Sequence, residues 1–152
     1  MSRTIRRVAI AAALASTVAL AGAASASAAS ITALSDSAPL VQKLYVPVVL
    51  TASCDPDPFF PVAGTASVTI RQVVSGKNIA HGTGSISSLT CDGAQHDYTV
   101  NVFPDSGSVP FPGSGGGDSP PFQKGDAVVS ATVGSYFGAT ATAGPEPIKL
   151  TK

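Results

Sequence analysis

Hydrophobic and polar residues alternate along several short stretches of this chain. The alternation is clearest over residues 43–54, where every second position is apolar. Because successive side chains of a β-strand point to opposite faces, this stretch predicts a strand that buries one face. The predicted buried face holds Leu44, Val46, Val48, Leu50, Ala52 and Cys54.

Turn-forming residues separate this stretch from similar ones. A hairpin turn is predicted at residues 75–78 and a second one at Asp92-Gly93. The apolar phase slips between Ile86 and Leu89, which predicts a bulge or a bend. Pro145-Glu146-Pro147 is expected to end strand pairing before a short tail. The further β-prone stretches cover residues 65–74, 79–91, 96–103, 126–134 and 136–143.

The strand count predicts the fold class. About seven strands and no convincing helical periodicity are typical of an all-β protein, here an immunoglobulin-like antiparallel β-sandwich. We expect one such domain over residues 29–152. The chain has no Trp to pack against a disulfide, so an antibody-type domain is not expected.

Residues 1–28 have the pattern of a secretory signal peptide. Three arginines precede an apolar run over residues 8–20, and small residues follow at the −3 and −1 positions of a cleavage site. We place the cleavage after Ala28, with cleavage after Ala26 as the alternative. The apolar run is shorter than the ~20 residues of a transmembrane helix. We therefore expect a secreted, extracellular protein without a membrane anchor.

The charge of the chain changes once this segment is set aside. The whole sequence has nine basic and nine acidic residues. The signal segment holds three of the basic residues and none of the acidic ones, so residues 29–152 have six basic and nine acidic residues, a net charge of −3. Nucleic-acid-binding proteins show a basic excess or a basic stripe, so no nucleic-acid partner is expected.

The two cysteines, Cys54 and Cys91, predict a disulfide. Outside the cell an even number of cysteines is usually paired, and two cysteines can pair in only one way. A catalytic thiol needs a histidine base, and a zinc site needs four ligands at recognisable spacing. Neither cysteine lies in a C-x-x-C motif. A structural disulfide is the interpretation that we favour.

Several phenylalanines lie in or beside loops rich in Pro and Gly. Phe59 and Phe60 stand between prolines, while Phe111 lies inside residues 104–121, and Phe122 follows that segment. The Gly, Pro and Ser content of residues 104–121 predicts a flexible loop. These aromatic side chains are candidates for contact with a ligand or a partner. We favour the alternative, in which they fold back and close the end of the sandwich.

Three aspartates suggest a weak cation site. Asp55 and Asp57 are neighbours, and a disulfide would bring Asp92 near them. Ca²⁺ prefers six to eight oxygen ligands, and this chain lacks the D-x-D-x-D-G pattern of a calcium loop. A plain Pro-Asp turn is the alternative that we favour, so no metal and no other cofactor is expected.

Catalytic chemistry finds little support in the sequence. His81 and His96 are the only histidines, and the chain has no G-x-S-x-G motif. His96 and Asp97 are adjacent on a predicted strand, so their side chains point to opposite faces. Gly82-Thr83-Gly84 lacks the rest of a dinucleotide-binding fingerprint. We expect no catalytic residues and a non-enzymatic protein.

Several short motifs follow one another along the chain in a characteristic order. They are Val49-Leu50-Thr51 before Cys54, Ser67-Val68-Thr69-Ile70-Arg71-Gln72, Gly82-Thr83-Gly84-Ser85, Cys91-Asp92-Gly93 and Phe122-Gln123-Lys124-Gly125-Asp126-Ala127. This set resembles the motifs of a group of uncharacterised small secreted proteins of actinomycetes. The resemblance implies an exported immunoglobulin-like β-sandwich with one disulfide between Cys54 and Cys91, and it supplies no activity.

These observations favour a secreted, non-enzymatic module that interacts with an extracellular protein or a glycan at the cell surface. A small-ligand or glycan-binding protein that uses the loop aromatics is the first alternative. A secreted protease inhibitor that presents residues 104–121 is the second. Rigid inhibitor loops are usually held by nearby disulfides, so the inhibitor ranks below the other two.

Overall fold

A computed structural model describes residues 28–56, 64–105, 119–135 and 140–152, and within them all regular structure is β. The predicted signal segment therefore lies outside the described residues, except for Ala28. The described strands are β1 (Ala29–Leu34), β2 (Ser37–Pro39), β3 (Val46–Cys54), β4 (Gly64–Ser75), β5 (Asn78–Leu89), β6 (His96–Pro104), β7 (Gly125–Ser135) and β8 (Thr140–Thr151).

The strands form one curled sheet in the order β1-β3-β6-β5-β4-β7-β8-β2. Its two ends approach each other, because β1 packs against β7 and β8 while β2 packs against β3. The all-β prediction is confirmed. The sheet is mixed rather than purely antiparallel, since β2 pairs parallel with β8. Eight strands are described where about seven were expected.

The core lies between the two halves of the curled sheet. Alternate residues of β3, β4, β6 and β7 point into it, as the period-two pattern predicts. Burying apolar area contributes about 25 cal/mol per Å², so this inner surface is the main source of stability. The largest fully buried side chains are Phe122, Leu50, Ile70, Leu89, Ile148, Leu150, Val46, Val48, Val68, Val100, Val102 and Val129.

The start of β3 differs from the prediction. The strand begins at Val46, and Leu44, which was expected inside, is 60% exposed. Residues 41–45 form a tight turn, in which the Leu44 amide donates to the Val41 carbonyl at 2.9 Å. Gln42 and Lys43 both have positive φ angles there. This turn breaks the alternation, so the apolar phase before Val46 does not carry over into the strand.

β4 and β5 form the predicted hairpin. Gly76 supplies a positive φ in the turn over residues 75–78. The predicted irregularity near the end of β5 is also present, since Gly64 pairs with Leu89 and Ala66 with Ile86. Between these two pairs, β4 advances by two residues and β5 by three, so β5 carries one extra residue and forms a β-bulge.

The second predicted hairpin is only partly formed. β5 and β6 pair at two positions far from the Asp92-Gly93 turn, Gly82 with Pro104 and Thr83 with Phe103. Nearer the turn the strands separate, and β6 pairs with β3 instead. The Tyr98 hydroxyl bridges the gap: it donates to the Thr90 carbonyl at 3.1 Å and accepts from the Thr90 amide at 3.0 Å.

β8 continues through the segment that was expected to end it. Val128 pairs with Pro147 and Val129 with Glu146, so the prediction that pairing stops at residues 145–147 is wrong. β2 reaches only residues 149–151 of β8. The proline segment is therefore a sheet edge on one side, where a missing N–H costs no ladder hydrogen bond. Val129 pairs with Glu146 and Ala131 pairs with Ala143, so β8 has one residue more than β7 over this interval, which forms a bulge.

Candidate functional surface

The outer face of β5, β4, β7 and β8 is rich in hydroxyl side chains. The pairing register places Ser85, Ser67, Thr132 and Thr142 in one row across the four strands. A second row contains Thr83, Thr69 and Ser130, and a third contains Thr65 and Thr140 on either side of Gly134. We call these nine Ser and Thr residues the hydroxyl face.

The hydroxyl face is regular and uncharged. Strand geometry separates neighbouring hydroxyls by about 4.8 Å across the strands and by about 6.7 Å along each strand. Every position in the three rows is Ser, Thr or Gly. Such a surface offers both donors and acceptors, since each hydroxyl can do either. It is therefore suited to a ligand that is itself covered with hydroxyl groups.

An exposed aromatic ring borders the hydroxyl face. Phe103 of β6 is 53% exposed, and it pairs with Thr83 at the junction of β5 and β6. Its ring centroid lies 5.6 Å from that of Tyr45, with the planes 39° apart. Asn101 lies two residues earlier on β6 and is also exposed. A groove of about 370 Å³ is lined by Ser67, Val68, Thr69, Thr83, Gly84, Ser85, Asn101 and Phe103.

Two glycines allow β6 to approach β5 this closely. A Cβ at Gly82 would lie 2.5 Å from the Phe103 carbonyl oxygen and 2.5 Å from the Phe122 ring. A Cβ at Gly84 would clash with the Asn101 carbonyl. The sequence Gly82-Thr83-Gly84 thus serves backbone packing, and it places the Thr83 side chain beside Phe103.

A larger, more apolar groove continues the same outer face. Thr69 and Ser130 of the hydroxyl face also line this groove, which has a volume of about 900 Å³. Three exposed hydrophobic side chains, Val73, Ile79 and Val128, gather in it beside Arg71, Asp126, Pro145 and Pro147. We call this region the apolar groove.

The predicted disulfide between Cys54 and Cys91 is present. It joins the end of β3 to the segment after β5, with an S–S distance of 2.05 Å and a sequence separation of 37 residues. Both cysteines are buried. The Gly93 amide also donates to the Cys54 carbonyl at 3.0 Å, so the bridge is next to the Asp92-Gly93 turn. The disulfide therefore links β3 to the end of β5, two strands that are not neighbours in the sheet.

The loop phenylalanines have different outcomes. Phe122 has no exposed surface, so it belongs to the core, as the favoured alternative predicts, and it is not available for contact with a partner. Its ring packs under Gly82. Phe59, Phe60 and Phe111 lie outside the described residues, so their role stays a prediction. Phe103 was not predicted as a site residue. The alternation along β6 does indicate its orientation, because Val100 and Val102 point inward and Phe103 therefore points to the outer face.

The candidate cation ligands take part in other contacts. One Asp55 carboxylate oxygen accepts from the Ala28 amide at 2.8 Å. Asp92 Oδ1 lies 2.9 Å from His96 Nε2 and accepts from the Ala94 amide at 2.8 Å. The hydrogen bond from His96 and then that from Ala94 lower the pKa of Asp92 below its usual 3.8. Asp57 lies outside the described residues. Within the described ranges, no three potential metal-ligand side chains cluster.

The ends of the predicted flexible loop are attached to β5. The Asp105 amide donates to the His81 carbonyl at 2.9 Å, and Ser119 Oγ donates to the same carbonyl at 3.0 Å. The His81 amide donates to Ser119 Oγ at 2.7 Å. Residues 106–118 lie outside the described residues, so the predicted flexibility of the loop is untested.

Comparisons with protein-family models, curated proteins and solved structures give no match to this chain. The resemblance to small secreted actinomycete proteins therefore stays a prediction. Among the residues that the structure describes, no helix is long and apolar enough to cross a membrane.

Proposed function

We propose that this protein is an exported, non-enzymatic module that binds an extended glycan on its hydroxyl face. The observation that carries the proposal is the placement of the exposed Phe103 ring and the Asn101 amide beside ordered rows of Ser and Thr. The proposal includes removal of the signal segment, residues 1–28, and an immunoglobulin-like arrangement of the sandwich.

The chemistry of the surface matches that of a sugar. One face of a pyranose ring presents C–H groups, which pack against the negative face of an aromatic ring such as Phe103. The sugar hydroxyls are both donors and acceptors, and so is the side chain of Thr69. The Thr83 hydroxyl donates to Asp105 Oδ1 at 2.9 Å, so it offers a ligand its acceptor lone pairs. The Asn101 amide adds two donors and an acceptor that fix the orientation of the ligand.

The shape of the surface favours a chain over a single sugar. The hydroxyl rows run across four strands, so they offer repeated, equivalent contacts to a polymer. Many weak contacts along one chain raise the total affinity, because each further contact is made at a high effective concentration. The disulfide supports an extracellular site of action, since such bonds persist in oxidising compartments.

The proposal is tested by affinity electrophoresis against soluble polysaccharides and by sedimentation with insoluble ones. We expect retention of the wild-type protein by at least one neutral polysaccharide. Phe103→Ala should weaken it about tenfold, which corresponds to about 1.4 kcal/mol. Leu44→Ala is the matched control, because Leu44 is equally exposed but does not line the groove. Absence of retention by all the polymers tested, or equal loss in both variants, would contradict the proposal.

The apolar groove supports a second candidate, binding of an extended peptide segment of a partner protein. Three of the six exposed large hydrophobic side chains in the described residues gather there. Arg71 and Asp126 at its sides offer charges of opposite sign to such a segment. Val128→Asp should abolish binding to a protein partner while it leaves retention by polysaccharide unchanged. The protease-inhibitor alternative depends on residues 106–118 and stays a prediction.

A further inference from the structure

We propose a second binding site, for a phosphate or sulfate group, in a basic pocket that the glycan proposal does not use. The pocket has a volume of about 630 Å³, and Lys43, Lys124 and Lys152 all line it. These are three of the six basic residues that follow residue 28. Its other lining residues are Leu40, Gln42, Pro121, Phe122, Gln123 and Thr151.

The wall that carries Lys124 is held rigidly. The Gln72 side chain is buried, and it accepts from the Gln123 amide at 2.8 Å and donates to the Gln123 carbonyl at 2.7 Å. Phe122, one residue earlier, is fully buried. The backbone next to Lys124 is therefore fixed by both hydrogen bonds and packing, and little further ordering is required when a ligand binds.

The wall that carries Lys43 is held by an unusual turn. Gln42 and Lys43 have φ angles of 50° and 59°, which is the left-handed region that non-glycine residues seldom occupy. Two successive positive φ angles are usual for Asn and Gly in hairpin turns. The turn is closed by hydrogen bonds between Val41 and both Leu44 and Tyr45. The left-handed conformation fixes the backbone from which the Lys43 side chain extends.

The third wall is the junction of β2 and β8. The Leu40 amide donates to the Thr151 carbonyl at 2.9 Å, and the Thr151 hydroxyl donates to the Ala38 carbonyl at 3.4 Å. Lys152 follows directly on this junction. The three lysines thus project from three separate segments, each tied to the sheet, and the sheet curvature brings them to one concavity.

The charges of the pocket indicate an anionic ligand. Among the residues that the structure describes, no Asp or Glu side chain lines it. Residues 29–152 as a whole have more acidic than basic residues, so this cluster is not the by-product of a basic chain. Lysine side chains that line one concavity raise its local positive potential, which attracts an anion. Lysine acts as a point charge, which suits a compact tetrahedral oxyanion.

The site is tested by titrating the purified protein with sodium phosphate and, separately, with sodium sulfate, while amide NMR shifts are recorded. Sodium chloride at equal ionic strength serves as the reference. We expect saturable shifts at Lys43, Lys124 and Gln123. The double variant Lys43→Gln/Lys124→Gln should weaken the binding by at least about tenfold. Lys77→Gln is the matched control, because it removes a charge on the exposed β4–β5 turn.

Two results would overturn the site. One is the absence of saturable shifts beyond those caused by chloride. The other is an equal loss of affinity per charge in Lys77→Gln, which would mean that only the net charge matters. Phe103→Ala should retain oxyanion binding, so a failure of the glycan proposal is distinguishable from a failure of this one. A stronger response to phosphate or to sulfate identifies which oxyanion the site prefers.

Discussion

The two faces of β4 and β7 differ sharply in composition. The inner face holds Val68, Ile70 and Val129, all fully buried, while the neighbouring outer positions hold Ser67, Thr69 and Ser130. The inner residues and Thr69 are β-branched and fit the pleated surface, whereas Ser67 and Ser130 are not β-branched. The inner face is fixed by the need to exclude water. The outer face is free of that need, and its three rows carry hydroxyl groups without charge.

The largest expected effect is on the element that ties the inner faces together. Replacing both Cys54 and Cys91 with serine should lower the free energy of unfolding by about 4 kcal/mol, because the bridge closes a loop of 37 residues. Urea unfolding with and without the bridge measures this loss. A wild-type protein that is equally stable in the presence of a strong reductant would contradict it.

The second prediction compares adjacent residues on opposite faces. Ile70→Ala should destabilise the fold by about 3 kcal/mol, because it removes buried methyl groups and leaves a cavity. Thr69→Ala, one residue away, should change stability by less than about 0.5 kcal/mol. Thermal unfolding of both variants is the measurement. Binding to polysaccharide should show the opposite ranking. Thr69→Ala should weaken retention more than Ile70→Ala does, provided that the Ile70→Ala protein is folded under the conditions of the assay. Equal stability losses would mean that the two faces are not energetically distinct.

The third prediction concerns Gly82, where close packing in the core brings Phe103 to the outer surface of the sheet. Gly82→Ala should destabilise the protein by about 1–3 kcal/mol, because the new methyl group would meet the Phe103 carbonyl and the Phe122 ring. Thr83→Ala is the control on the outward side and should cost less, because it removes only the exposed hydrogen bond to Asp105 at 2.9 Å. Urea unfolding distinguishes them. A Gly82→Ala protein with wild-type stability would show that β6 need not lie so close to β5.

The smallest expected effect is at the exposed turn, away from both faces. The folded-state pKa of Asp92 is lowered by its hydrogen bonds to His96 and Ala94, so its contribution is present above about pH 4 and is lost as the pH falls through the folded value. In the wild type, the urea midpoint should therefore decrease more steeply with acid than in Asp92→Asn, and the two proteins should converge at low pH. Parallel pH profiles would contradict this.

Local patterns predicted much of the interior. β4 and β7 have the expected bounds within one or two residues, and their inward residues are those that the alternation named. The turn at residues 75–78 and the bulge before Leu89 also follow from local signals. β1 and β2 were not predicted. β1 shows no alternation of burial, and β2 has only three residues, so neither leaves a periodic signal.

The candidate surfaces were less accessible to prediction. The loop position of Phe122 left exposure and burial both open, and the ring lies in the core, where it packs under β5. The sequence around Phe103 predicts an outward-facing residue near the end of β6 but no binding site. Phe103 lines a groove only because β6 pairs with β5 at this point. Lys43 and Lys124 are about eighty residues apart in the chain, so their shared pocket has no local signal.

The sequence by itself determined the all-β class, the inward residues of the main strands and the single possible disulfide. These depend on the period of two and on a cysteine count of two, which are local or compositional properties. The tertiary structure alone decided that the sheet curls, that β5 and β6 separate beyond their junction, and that Ser and Thr from four strands form one face. These depend on pairing between distant segments, whose register is set by packing across the whole core.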